Sequence, residues 1–102
     1  MSDFVDQYRA DARLIILRKL AEWPDGSLSS KHLQRELYTF AVNEDREWVH
    51  EEMRYLAKFD AIRVSEAGSV LIGTITPKGR SHLARRLKIG GVDWPSEPII
   101  TE

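Results

Sequence analysis

At Asp60 the apolar residues change from helical spacing to strand spacing, and this switch confines the chain to folds in which helices come first and a hairpin follows. Upstream, Phe4, Tyr8, Ala12, Ile16, Leu20 and Trp23 recur at intervals of four, four, four, four and three, with Leu14, Leu17 and Ala21 widening the stripe. The pattern predicts one long amphipathic helix from Asp3 to Trp23. Pro24-Asp25-Gly26 stops it, because proline disfavours helix in the residue before it and glycine supplies the turn.

Leu28-Ser29-Ser30 reads as the next helix start, with Ser29 as cap and Leu28 placed to pack on Leu33. Leu33, Leu37 and Phe40 form the buried stripe of this second helix, with Tyr38 at its edge. A third helix is expected from the cap candidate Asn43 to about Lys58. Glu44, Asp45 and Glu47 sit where the helix dipole favours negative charge, and Val49, Met53 and Leu56 carry the period. Beyond Asp60, Ile62 and Val64 alternate with Arg63 and Ser65, Glu66-Ala67-Gly68-Ser69 forms a turn, and Val70 to Ile75 is rich in β-branched residues. A hairpin follows from that pattern. Thr76 as cap and Pro77 at the first position open a last helix that Gly90-Gly91 should end.

The 102 residues are enough for one core, and 42% hydrophobic with 30% charged residues is a globular composition. Zero cysteines exclude disulfides, thiol catalysis and a cysteine-based zinc site. No apolar run approaches the roughly 20 residues of a membrane span, and Met1-Ser2-Asp3 lacks the basic start of a signal peptide, so a cytoplasmic location is expected. The net charge of −1 is unevenly spread: residues 78 to 88 hold Lys78, Arg80, Arg85, Arg86 and Lys88 without an acid, on an otherwise acidic body.

The order helix, helix, helix, strand, strand, helix describes an α+β winged helix-turn-helix, with residues 1–88 as the domain and 89–102 as an extended C-terminal tail. Two stretches carry a resemblance. Arg13-Leu14-Ile15-Ile16-Leu17-Arg18-Lys19-Leu20-Ala21-Glu22 is similar to the first helix of MarR- and ArsR-type winged-helix regulators, and Ile75-Thr76-Pro77-Lys78-Gly79-Arg80 resembles the threonine-x-x-glycine after their wing. The whole chain, including Gly91-Val92-Asp93-Trp94-Pro95-Ser96, resembles a family of small proteins of Mu-like phages and prophages commonly labelled ArsR-like. The resemblance implies a winged-helix fold, a phage or prophage setting and a regulatory role. The missing cysteines keep metal sensing from carrying over.

A DNA reader needs cations and hydrogen-bonding groups on the exposed face of the third helix. Ser30, Lys31, Arg35, Arg46, His50, Arg54 and Arg63 are the candidates for DNA contact, and Arg46, His50 and Arg54, four apart, share a face. Against this, Glu44, Asp45, Glu47, Glu51 and Glu52 outnumber Arg46, Arg54 and Lys58, and the wing turn offers no cation. Those charges fit equally a solvated, salt-bridged surface, or an acidic face used with the Trp94-Pro95 tail against a phage or host protein. The first and last helices, with Phe4, Val5, Tyr8 and Ile15, suggest a homodimer; the alternative is that the first turns pack on the tail, with Trp94 as the contact. His32, His50 and His82 are scattered, and Gly68, Gly73 and Gly79 form no phosphate loop, so neither enzyme activity nor a metal or cofactor is expected.

Overall fold

The computed structural model describes residues 3–100; the Met1-Ser2 start and the Thr101-Glu102 end of the tail lie outside the described residues. Four helices, α1 (Asp3–Glu22), α2 (Ser30–Thr39), α3 (Arg46–Lys58) and α4 (Pro77–Leu83), surround a sheet of β1 (Ser27–Ser29), β2 (Ile62–Ala67) and β3 (Val70–Ile75). All strand pairs are antiparallel and the spatial order is β1-β3-β2, so the last strand made is the central one. The domain is α+β.

Local chemistry accounts for most element boundaries. Ser29 caps α2 by accepting the His32 amide at 3.1 Å, and Thr76 caps α4 by accepting the Gly79 amide at 3.1 Å, with Pro77 at the first position. The cap of α3 is Asp45 rather than Asn43: its carboxylate accepts the Trp48 amide at 2.8 Å. β1 is an addition to the expected elements. Ser27, Leu28 and Ser29 pair with Thr74, Gly73 and Ile72, so Leu28 belongs to the sheet. The hairpin turn is confined to Gly68 and Ser69, because Glu66 and Ala67 still pair with Leu71 and Val70.

α4 ends at Leu83, well before Gly90-Gly91. Arg85 adopts a left-handed backbone with φ 62°, and the Arg85 and Arg86 amides turn back to His82 O and Ser81 O at 3.0 and 2.9 Å. The same cap closes α2 through Ala41 (φ 66°) and α3 through Asp60 (φ 63°). The residue that follows each of those two, Val42 or Ala61, is buried.

Ile16, Leu17, Leu20, Leu33, Leu37, Val49, Met53, Leu56, Ile62 and Leu83 fill the core, and each is at most 2% exposed. The ends of the α1 stripe stay outside it: Phe4 is 76% and Trp23 45% exposed. Gly79 marks a tight approach to backbone, since a Cβ there would strike the Ala61 carbonyl. After α4 the chain lies back along α1 and α4. Ile89 and Val92 are buried, the Asp93 amide donates to Ala10 O, and the Ile99 amide donates to Leu83 O at 2.7 Å. Trp94 stacks on His82 at 5.1 Å, while the early α1 ring Phe4 stacks on Tyr8.

Candidate nucleic-acid interface

Two short helices joined by residues 40–45 present the sequence-derived residues, and their mutual angle is set by side chains. Ser30 is the first residue of α2 and is fully buried. Its Oγ accepts the Leu71 amide of β3 at 3.0 Å and lies 2.8 Å from His50 Nε2 on α3. With the amide proton directed at the oxygen, the hydroxyl proton is free to go to Nε2, and a neutral His50 then carries its own proton on Nδ1. One hydroxyl thus joins α2, α3 and the sheet. This corrects the expectation that Ser30 touches DNA: it has no surface to offer.

The connection is braced in the same way. Arg46 Nε donates to Gln34 Oε1 at 2.7 Å, and Gln34 Nε2 donates to Glu44 O at 2.9 Å. Arg46 and His50 are half-buried on the flank of α3 that meets α2, and Arg54 is exposed on the same helix. Lys31 and Arg35, four apart on α2, are exposed, as is Arg63, which pairs with Thr74 in the hairpin. Among the described residues, the side chains of Lys31, Arg35, Arg54 and Arg63 make no hydrogen bond, ion pair or ring contact. A guanidinium or ammonium in that condition keeps all its donors for an anion.

The acids of the third helix do not share one face. Glu52 is 1% exposed and ion-paired with Arg9 and with Arg13, whose Nε lies 2.5 Å away. The Arg13 guanidinium also covers the Tyr55 ring at 3.6 Å and donates to Gly91 O at 2.8 Å. Glu44 accepts the Tyr8 hydroxyl at 2.7 Å; burial first, and then that carboxylate, push the Tyr8 pKa up to about 12. Asp45 is spent as the cap. Glu51 leans toward Arg9 at 3.8 Å, and only Glu47 has no such partner. Charge counted along the sequence made this helix negative, but Glu52 and Glu44 are turned toward α1 and Asp45 is bound in the cap, which leaves Glu47 and Glu51 as the exposed acids of the helix itself.

Arg9 and Arg13 escaped attention in the sequence, although the signal for their partner was present. Glu52 lies three after Val49 and four before Leu56, inside the apolar stripe, where a carboxylate demands a cation. The hairpin tip remains without a cation, as expected: Glu66, Ala67, Gly68 and Ser69 are all exposed. Among the described residues no group of three or more His, Cys, Asp or Glu side chains could hold a metal ion, and no helix is long and apolar enough to cross a membrane. No protein-family model, curated protein or solved structure matches the chain.

Proposed function

We propose that this domain is a winged helix that binds duplex DNA, with α2 and α3 as the helix-turn-helix and the β2–β3 hairpin as the wing. It acts as a homodimeric phage or prophage transcriptional regulator. The observation that carries the reading is the sorting of charge: the side chains of Lys31, Arg35, Arg54 and Arg63 are exposed and unpaired, while Glu52 is ion-paired with Arg9 and Arg13 of α1 and Glu44 is hydrogen-bonded to Tyr8 of α1. Arg46 and His50 lie on the flank of α3 that meets α2, and the braces through Gln34 and Ser30 tie α3 to α2 as a unit for insertion in a groove. The role requires no catalytic group and no cofactor.

Fluorescence anisotropy with a labelled duplex of mixed sequence tests the proposal. Non-specific binding is expected in the range of about 10⁻⁴ to 10⁻⁶ M, weakening with salt. Replacing Lys31, Arg35 and Arg54 together by Ala should reduce the slope of log K against log salt by about 3, since each phosphate contact contributes about 0.9. No binding at low salt, or an unchanged slope in the triple variant, would overturn it. A second reading is a protein-docking module for a phage or host protein. It rests on Tyr38, 66% exposed beside a groove of about 340 Å³ lined by Gln34, Arg35, Val42 and Asn43.

A further inference from the structure

His82 holds the C-terminal segment to the body through two hydrogen bonds that only a neutral ring can make together. The residue is fully buried on α4. The Ile89 amide points at Nδ1 at 3.1 Å, and an amide can only donate, so Nδ1 carries no proton. Nε2 lies 2.8 Å from the Asp93 carbonyl, which can only accept, so Nε2 carries the proton. The ring face is covered by Trp94 at 5.1 Å with an interplanar angle of 14°. From this clasp the tail continues to the Ile99 amide bond with Leu83 O.

We infer that His82 is a pH-gated clasp: protonation at Nδ1 sets two donors against each other at Ile89 and releases residues 89–100 from α1 and α4 while the rest of the domain stays folded. The groups around the ring favour that outcome. Lys88 and Arg85, from the segment after α4, both lie over the Trp94 indole, at 5.7 and 5.3 Å, so a charged ring would join two cations. From α1, Arg13 holds Gly91 O. Burial, and after it the Lys88 charge, hold the ring's pKa below its ordinary value against the hydrogen bond to the Asp93 carbonyl and the attraction of the Asp93 carboxylate, which has Asp11 of α1 beside it. The unfolded or detached ring therefore takes a proton before the docked one does. Docking is complete above the ordinary histidine value of about 6.5 and is lost as pH falls below it.

Nuclear magnetic resonance on the full chain tests this. The His82 ring nitrogens report tautomer and protonation, and hydrogen-exchange protection, corrected for intrinsic rates, reports docking at each pH. The neutral ring should be protonated at Nε2 only. Between about pH 7.5 and pH 5 the protection of the Ile89, Asp93 and Ile99 amides should fall together, by up to about tenfold per unit once below the detached ring's value of about 6.5, while β3 and α3 amides hold theirs. Exposed apolar surface, read by dye binding, should rise with the same midpoint. The Asp11→Asn chain, in which that carboxylate no longer titrates, should still lose tail protection as the ring takes its proton. In His82→Asn the side-chain oxygen keeps the acceptor for Ile89 without a titrating group, and tail protection should be flat over the same range. A tail that stays protected after the ring has charged, a ring that stays neutral throughout with the tail docked, or loss of all amides in one step would each overturn the clasp.

Discussion

Glu52 concentrates the electrostatics of this domain in one buried carboxylate. Removing an ionised group from water costs several kcal/mol, and the fold recovers it through two guanidiniums on successive turns of α1. Glu52→Ala strands those cations and leaves a void, so a loss of about 3–5 kcal/mol is expected in denaturant unfolding, enough to consume much of a small domain's stability. Asp11 shows the opposite sign. Burial and then the hydrogen bond to Asp93 raise its pKa, which Gln7, bonded to Asp11 at 2.9 Å and to Asp93 at 3.2 Å, opposes. The fold takes up that proton more readily than the unfolded chain, so ionising Asp11 costs stability as pH rises through its folded pKa. Asp11→Asn should melt higher than the parent at neutral pH and lose that advantage in acid, as a thermal scan at both pH values would show. The sequence revealed neither role. Arg9 and Arg13 lie 43 and 39 residues from Glu52, and Asp93 is far from Asp11 in the chain, so no local count of charges pairs them.

Among the elements, those with chemistry of their own were legible. Ser29, Thr76 and Pro77 announce α2 and α4, the spacing of Val49, Met53 and Leu56 announces α3, and alternation from Ile62 announces the hairpin. β1 was not, since three residues carry no period and Leu28 exists as a strand only through Gly73 across the ladder. The C-terminus of α4 was not either, because its cap uses Arg85 where glycine is the usual signal. A left-handed residue with a Cβ costs roughly 1–2 kcal/mol, of which glycine returns part as unfolded-state entropy. Arg85→Gly should therefore stabilise by about 0.5–1 kcal/mol in urea unfolding without moving the end of the helix. Ala41, at the end of α2, offers an independent copy of the same experiment.

Across the whole molecule the architecture divides labour between two groups of side chains. α1 receives both the acids of the α2–α3 region and the returning tail, and Arg13 binds Glu52 and the Gly91 carbonyl alike. The proposed DNA contact rests on other side chains, those of Lys31, Arg35, Arg54 and Arg63, which are exposed and unpaired. Titrating salt against DNA and titrating acid against the tail therefore interrogate separate groups, and either outcome leaves the other interpretable.

The strand order has a consequence for synthesis on the ribosome. β3 supplies the hydrogen bonds of both β1 and β2, yet it is the last of the three to be translated. A growing chain that has exposed α1, β1, α2 and α3 owns the Arg9–Glu52–Arg13 lock but no ladder, and the Leu71 amide has not yet reached Ser30. The helices can assemble early around short-range contacts, whereas the angle between α2 and α3 awaits a strand some forty residues downstream. Ribosome profiling by force on stalled chains should accordingly register its main folding event only after Ile75 has left the exit tunnel.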